Sequence, residues 1–216
     1  MSALIPGTMI LFWVASMGCS GSLLNEGKGF TYKNLPVAKD SAKAGDGETI
    51  KFGGNDLILT GQGLQVGQPL RSVKLTQTDL TQIDLVDTKG KVRIISIVPS
   101  LDTKVCEQQT HYLSEKNQGL DQKLGLITIS VDTPFAQDRF AKEANITNIQ
   151  FLSDYRGGEF GKVNGLLLEG PHLLTRALVV VDQDNIIQFL QILPDLGHLP
   201  DMEAAFQKAR TLLEST

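Results

Sequence analysis

The fold can be worked out from one stretch of the chain, KVRIISIVPSLDTKVCEQQTHYL at residues 91–113. The apolar run from Val92 to Val98 is almost continuous, which is typical of a strand covered on both faces of a sheet. A helical pattern follows it, and Asp102 or Thr103 can act as the N-cap of that helix. Cys106, one of only two cysteines in the chain, falls in the first turn of the predicted helix.

The segments before this stretch predict strands. A hairpin is predicted by TIKFGGNDLILTG, in which apolar residues alternate on both sides of Gly53-Gly54-Asn55-Asp56. Short alternating strands are also predicted by SVKLTQT and TQIDLV.

The segments after it predict strands and helices in turn. LGLITISVD and IQFLSD predict two more buried strands. Between them, PFAQDRFAKEAN predicts a helix that begins at Pro134, with Phe135, Phe140 and Ala144 clustered on one side. RALVVVDQDNIIQFLQIL predicts a second hairpin, and PDMEAAFQKARTLL predicts a last helix with an apolar stripe.

This order of elements defines the fold class. Strand–helix–strand units that end in an antiparallel hairpin and a helix describe a mixed β-sheet flanked by helices. The α/β thioredoxin fold has this order, here with an extra N-terminal β-hairpin. We expect the domain to occupy residues 49–216.

Composition limits the classes of function. The 216 residues are 41% hydrophobic and 20% charged, with a net charge of -4, as expected of a soluble protein with one core. Because no run of Lys or Arg dominates any segment, nucleic acid is a poor partner. Two cysteines and three scattered histidines (His111, His172 and His198) favour neither a disulfide framework nor a metal site, and no cofactor is expected.

Residues 1–19 predict a signal peptide rather than part of the fold. The apolar run from Met9 to Met17 is too short to cross a bilayer and suits a secretory signal. Gly18 before Cys19 resembles the cleavage box of bacterial lipoproteins, whose cysteine becomes lipidated. This predicts a lipid-anchored protein of the cell envelope. Since no Lys or Arg precedes the run, an uncleaved apolar tail, and hence a cytoplasmic protein, is the alternative.

Residues 20–48 are rich in Gly, Ser, Lys and Asp and show neither helical nor alternating periodicity. Such a composition predicts a flexible tether. Behind a lipidated Cys19, a tether would let the domain stand off the membrane.

Cys106 has two interpretations. The first turn of a helix carries free N–H groups and the positive end of the helix dipole, which stabilise a thiolate. However, free cysteines are usually small buried apolar residues. Position in the helix alone does not decide between a nucleophile and a packing residue.

Several segments together resemble the thiol peroxidase subgroup of the peroxiredoxins. VPSLDTKVCEQQT is similar to the active-site segment of that family. ISVDTPFAQDRF, FLSDYRGGEFGKVNGLLLEGP, TRALVVVDQDN and LPDMEAAF follow in the family's order and spacing. The resemblance covers residues 49–213 and implies a thiol-dependent peroxidase that reduces hydrogen peroxide and small organic hydroperoxides.

The resemblance also implies a role for each site residue. Cys106 is the peroxidatic cysteine, which is oxidised to a sulfenic acid. Thr103 hydrogen-bonds thiolate and peroxide, Arg176 stabilises the thiolate and the leaving oxygen, and Pro99 shields the pocket from water. Without the resemblance, Thr103 would be taken as a helix cap and Arg176 as a surface charge.

One position departs from the family pattern. The cysteine that resolves the sulfenic acid usually follows PFAQxRF, and here that position is Ala141. We therefore expect a one-cysteine mechanism, in which a thioredoxin-like protein or a small thiol is the external reductant. If Cys19 is not lipidated, it could instead resolve Cys106 in the same or a neighbouring chain.

Two non-enzymatic alternatives remain. The domain could be a redox sensor or binding module that uses mixed disulfides of Cys106, or a structural relic, which the intact Pro99, Thr103, Cys106 and Arg176 argue against. The resemblance further implies a homodimer.

Overall fold

The computed structural model describes Met1 and residues 29–215. The strands and helices of this part of the chain are β1 (Thr49–Phe52), β2 (Asn55–Thr60), β3 (Lys74–Gln77), β4 (Gln82–Asp84), β5 (Arg93–Ile97), α1 (Lys104–Glu115), β6 (Gly125–Ser130), α2 (Pro134–Glu143), β7 (Gln150–Ser153), α3 (Glu159–Asn164), β8 (Leu167–Leu168), β9 (Leu173–Leu174), β10 (Ala177–Val181), β11 (Ile187–Ile192) and α4 (Met202–Glu214). Short 3₁₀ turns at Leu85–Thr88 and Leu120–Gln122 complete them.

A seven-stranded mixed sheet forms the centre, in the order β11-β10-β5-β6-β7-β3-β4. Strand β5 pairs with β6 in parallel and with β10 in antiparallel orientation. All five residues of β5 are buried, as the continuous apolar run predicts for a strand covered on both faces. The β5–α1 junction is therefore anchored in the middle of the sheet.

The two faces of this sheet carry different layers. One face packs against α1 and α4, through a cluster that includes Cys106, Leu113 and Phe206. The other face packs against a second, four-stranded antiparallel sheet (β1-β2-β8-β9), through a cluster that includes Ile50 and Phe160. This mixed sheet, flanked by helices and joined by the N-terminal hairpin β1–β2, confirms the thioredoxin fold predicted from the sequence.

Two local features differ from the sequence prediction. Helix α3 and the two-residue strands β8 and β9 were not expected, because they are too short to show a period. On α2, Phe140 and Ala144 pack against the core, but Phe135 is 68% exposed, so its predicted place in that cluster is wrong. Phe135 and Ala144 are nine positions apart, which on a helix of 3.6 residues per turn puts them on opposite sides, and the buried residues of the first turn are Pro134 and Gln137.

Residues 29–48 also differ from the flexible tether that the composition predicts. Val37 forms a parallel bridge with Leu199, and the Ala38 N–H donates to the Leu199 carbonyl at 2.9 Å. The side-chain amide of Gln191 donates to the carbonyls of Ala38 and Asp40. Hydrogen bonds from backbone groups can form whatever the side chains are, so they do not require a periodic pattern of apolar residues. This explains why the composition did not reveal the contact.

The start of this segment lies along α1. The Lys33 N–H donates to the Gln108 side chain at 2.8 Å, and the Gln108 amide donates back to the Lys33 carbonyl at 2.9 Å. The ring of Phe30 stacks on His111 with centroids 4.0 Å apart. The Tyr32 hydroxyl donates to Glu115 at 2.8 Å. Residues 30–33 of the N-terminal segment thus pack along α1, the helix that carries Cys106.

The signal peptide, the lipidation site at Cys19 and the first part of the tether lie outside the described residues. Across the part of the chain that the structure describes, there is no helix of the length and apolar character needed to span a membrane.

We expect Tyr32 and Tyr112 to ionise above the ordinary tyrosine pKa of about 10. Burial and a hydrogen bond to Glu115 raise the pKa of Tyr32, and burial and a hydrogen bond to Glu203 raise that of Tyr112. Since each folded-state pKa lies above the unfolded one, the stability from these phenols is complete below about pH 10 and is lost as the pH rises. Ultraviolet absorbance titration of the intact chain measures both.

The Tyr32→Phe variant should lose one of the two late-titrating phenols, whereas Tyr155→Phe should retain both. If Tyr32→Phe removed a phenol that titrates at the ordinary pKa, the contact between Tyr32 and Glu115 would be wrong.

Candidate active site

The loop between β5 and α1 is held by a carboxylate that lies just past the end of the neighbouring strand β6. Asp132 accepts hydrogen bonds from the Ser100 hydroxyl at 2.7 Å, the Leu101 N–H at 2.7 Å and the Ser130 hydroxyl at 2.8 Å. Sequence reasoning missed Asp132. The available signal was its position two residues after the end of strand β6. Since β5 and β6 are parallel, residues just past their carboxyl ends meet at one edge of the sheet.

Cys106 is the third residue of α1 and is fully buried. The first N–H groups of a helix have no carbonyl partner within it, so the thiol sits where a negative charge is stabilised. One turn later, the Thr110 hydroxyl donates to the Cys106 carbonyl at 2.8 Å. The cysteine is therefore buried in the core and also placed at the end of the helix that favours an anion.

Arg176 lies beside this thiol. It directly precedes β10, and the pairing of Ala177 with Ile97 brings it to the end of β5 from which the loop to α1 departs. Its Nη2 is 3.3 Å from the Cys106 Sγ. The guanidinium also donates to the Leu196 carbonyl, from Nε at 3.2 Å and from Nη2 at 3.0 Å. The sequence prediction that Arg176 belongs with Cys106 matches this placement.

A relay of side chains holds the guanidinium in place. Arg176 Nη1 donates to the Gln109 side chain at 2.6 Å, and the amide of Gln109 donates to the Ser96 hydroxyl at 2.8 Å. Both Gln109 and Ser96 are fully buried. Sequence reasoning missed these two residues. A glutamine one turn after Cys106, on the buried face of the helix, was the available signal.

The charge of Arg176 is not balanced by a carboxylate. The side chain is 2% exposed, and no ion pair within residues 29–215 includes it. A buried charge is costly unless an opposite charge compensates for it. Among the described residues, the Cys106 thiol at 3.3 Å is the group beside the guanidinium that could carry an opposite charge.

Thr103 and Pro99 occupy the loop but make different contacts. Pro99 is buried two residues after the end of β5, whereas Thr103 is exposed at the N-cap of α1. The Thr103 hydroxyl donates to the Ser100 carbonyl at 3.2 Å and makes no side-chain cap bond. Because a hydroxyl has a single proton, Thr103 does not donate to the Cys106 sulfur in this conformation.

Cys106 is the only cysteine within the described residues. Ala141, at the position of the family's resolving cysteine, is partly buried on α2 and packs against the cluster that contains Cys106. Among residues 29–215, no group of three or more His, Cys, Asp or Glu side chains could hold a metal ion. The arrangement suits attack by a thiolate on an electrophile whose leaving group gains negative charge beside the guanidinium.

Comparison with known proteins shows which family has this fold and site. A family model described as Redoxin matches residues 65–206. The thiol peroxidase of Streptococcus pneumoniae R6 is 39% identical over 163 residues, which cover 76% of this chain and 99% of the relative. That of Halalkalibacterium halodurans is 37% identical over 165 residues, with 76% and 99% covered.

Solved structures of related proteins share this fold. A peroxiredoxin-like protein from Aquifex aeolicus superposes with a TM-score of 0.71 at 31% identity, covering 76% of this chain and 96% of its own. The thiol peroxidase from Chromobacterium violaceum has a TM-score of 0.67 at 24% identity, covering 78% and 98%, and shows the shared fold. The family match, the identity across nearly the whole length of the relatives and the Cys106–Arg176 site together show that this chain belongs to the redoxin family, as a thiol peroxidase of the peroxiredoxin group.

Proposed function

We propose that the enzyme reduces hydrogen peroxide and small organic hydroperoxides at Cys106. The observation that carries this proposal is the 3.3 Å contact between the Cys106 Sγ and the Arg176 Nη2 in a buried site. The thiolate attacks one peroxide oxygen, the O–O bond breaks, and the sulfur becomes a sulfenic acid. The other oxygen leaves with the electron pair and takes up a proton as water or alcohol, so the sulfur loses two electrons and the peroxide gains them.

The remaining residues act on the charge that develops in this step. Arg176 stabilises first the thiolate and then the leaving oxygen, and the Gln109–Ser96 relay keeps its planar group in position. Pro99 closes the pocket on the strand side. Thr103 donates to the peroxide after its hydroxyl turns away from the Ser100 carbonyl, a rotation that an exposed side chain makes easily.

Regeneration uses a one-cysteine mechanism. With Ala141 in place of a resolving cysteine, an external thiol attacks the sulfenic acid, releases water and forms a mixed disulfide. A second thiol then frees Cys106 and leaves as the oxidised disulfide. The reductant is a thioredoxin-like protein or a small thiol.

The N-terminal sequence supports a place at the membrane. The apolar run that ends at Gly18-Cys19 resembles a lipoprotein signal. We propose that the mature chain begins at a lipidated Cys19 and is held at the membrane of the bacterial cell envelope.

The peroxide step should depend on both partners of the buried pair. With hydrogen peroxide, Cys106→Ser should form no sulfenic acid. Arg176→Ala should react about 10²–10³-fold more slowly, because one preorganised donor to the developing charge is lost. Stopped-flow mixing with a sulfenic acid probe measures both.

Exposed Arg156 provides the control, and Arg156→Ala should react as the parent chain does. Arg176→Lys keeps the charge but loses the planar fork, so its rate should fall between those of Arg176→Ala and the parent. A parent rate equal to that of a free thiol would contradict the peroxidase site.

Treating the full chain with peroxide in the absence of thiol should yield a sulfenic acid and no internal disulfide. The Ala141→Cys variant should form a disulfide between Cys106 and the introduced thiol, because position 141 packs against the cluster that holds Cys106. Lys142→Cys, one residue further and exposed, should not. Mass spectrometry of unreduced peptides distinguishes these products. A Cys19–Cys106 disulfide in the parent chain would overturn the one-cysteine mechanism.

Lipidation predicts where the protein is found. When it is expressed in a bacterium, the parent chain should incorporate a radiolabelled fatty acid and sediment with membranes. Cys19→Ala should take up no label, while Cys106→Ser should label normally. Unlabelled parent chain would show that the N-terminal interpretation is wrong.

A further inference from the structure

A cavity of about 470 Å³ lies between α1, the end of α2 and the start of the N-terminal segment. Its lining includes Phe30, Glu107, His111, Glu115, Phe140 and Glu143. This volume is in the range of small-molecule binding sites, which are commonly about 300–1,000 Å³. The peroxide chemistry at Cys106 makes no use of it.

The cavity has a clear charge preference. Three carboxylates line it, and among the described residues that line it there is neither lysine nor arginine. Glu115 already accepts from Tyr32 at 2.8 Å and bonds His111 Nδ1 at 2.8 Å. The side chains of Glu107 and Glu143 have no hydrogen bond or ion pair within residues 29–215, so their charges are free for a ligand. The rings of Phe30 and Phe140 add faces that attract cations.

The cavity is also close to the reacting sulfur. Glu107 directly follows Cys106, and consecutive Cα atoms lie about 3.8 Å apart. His111 comes five residues later on the same helix, a rise of about 7.5 Å. The cavity thus lies along the helix that carries Cys106, with Glu107 and His111 within about one and a half turns of it.

We propose that this cavity binds the ammonium group of a small cationic thiol, and that this thiol is the external reductant of the Cys106 sulfenic acid. The inference rests on the one-cysteine mechanism proposed above and names the chemistry of its reductant. The bound thiol attacks the sulfenic sulfur, an S–S bond forms, the S–O bond breaks and water leaves. A second thiol molecule then attacks the mixed disulfide and restores the Cys106 thiol.

The burial of Cys106 explains why the binding site is displaced from the sulfur. In this conformation Cys106 is fully buried, so a second thiol cannot reach it until the first turn of α1 opens. His111 and Glu115 lie beyond that turn, and Glu143 lies on α2. These side chains stay in place while the sulfur moves out, and the cavity can hold the reductant before the attack.

The test uses three thiols that share a two-carbon chain and whose head groups are positive, neutral and negative: 2-aminoethanethiol, 2-mercaptoethanol and 2-mercaptoethanesulfonate. The full chain is oxidised with one equivalent of hydrogen peroxide, and formation of the sulfenic acid is confirmed first. Each thiol is then added, and the decay of the sulfenic acid is followed by mass spectrometry after quenching with a dimedone probe. Rates are compared per thiolate, so that differences in thiol acidity do not enter.

We expect 2-aminoethanethiol to react about tenfold or more faster than 2-mercaptoethanesulfonate, because a complementary charge raises association rates by about 10–10³-fold. The preference should shrink at high salt and be largely lost in the Glu107→Gln/Glu143→Gln double variant. Glu159→Gln, on α3 and paired with Lys162 at 3.0 Å, should retain it.

Equal rates for the three thiols in the parent chain would overturn the proposal. A preference that the Glu107→Gln/Glu143→Gln variant keeps in full would overturn it as well, because the cavity would then not be the source of the selectivity. Failure to form the sulfenic acid at all would instead refute the proposed function, so the two failures are distinguishable.

Discussion

The active site depends on one buried cation that has no carboxylate partner among residues 29–215. Arg176 is held by the Leu196 carbonyl and by Gln109, which are neutral acceptors, and its remaining contact is the Cys106 sulfur at 3.3 Å. The other fully buried arginine, Arg93, is surrounded by neutral acceptors, and burial lowers its pKa. At Arg176 one of the contacts is instead a thiol, so the charge that the fold buries lies directly beside the sulfur of Cys106.

The strand pairings of the central sheet position Cys106 and Arg176 beside each other. The pairing of β5 with β10 brings the chain before Ala177 to the strand end from which α1 departs. The pairing of β5 with β6 places Asp132 where it can hold the loop ahead of the cysteine. The strand pairings of the central sheet thus bring the two chain segments together, and the first turn of α1 places the thiol beside the guanidinium.

Much of this arrangement could be predicted from the sequence. The apolar run of β5, the cap region before α1 and the two hairpins have strong local patterns, and the segment around Cys106 resembles a known family closely enough to identify Arg176. The Gln109–Ser96 relay and Asp132 were not predicted, because their roles depend on which strands become neighbours. Phe135 was misplaced because an apolar residue in a helix start need not face the core. Residues 29–48 were misjudged because backbone hydrogen bonds and isolated aromatic contacts, such as that of Phe30 with His111, leave no periodic pattern in the sequence.

The paired hydrogen bonds between Lys33 and Gln108 have a consequence for the lifetime of the oxidised enzyme. Gln108 is two residues from the sulfur, so any opening of the helix start that spreads to it must break bonds to a segment remote in the chain. If a thiol can reach Cys106 only when the helix start opens, these bonds should slow the repair of a sulfenic acid and give a second peroxide more time to convert it to a sulfinic acid. On the mechanism proposed above, loosening the contact between Lys33 and Gln108 should therefore favour repair over irreversible oxidation.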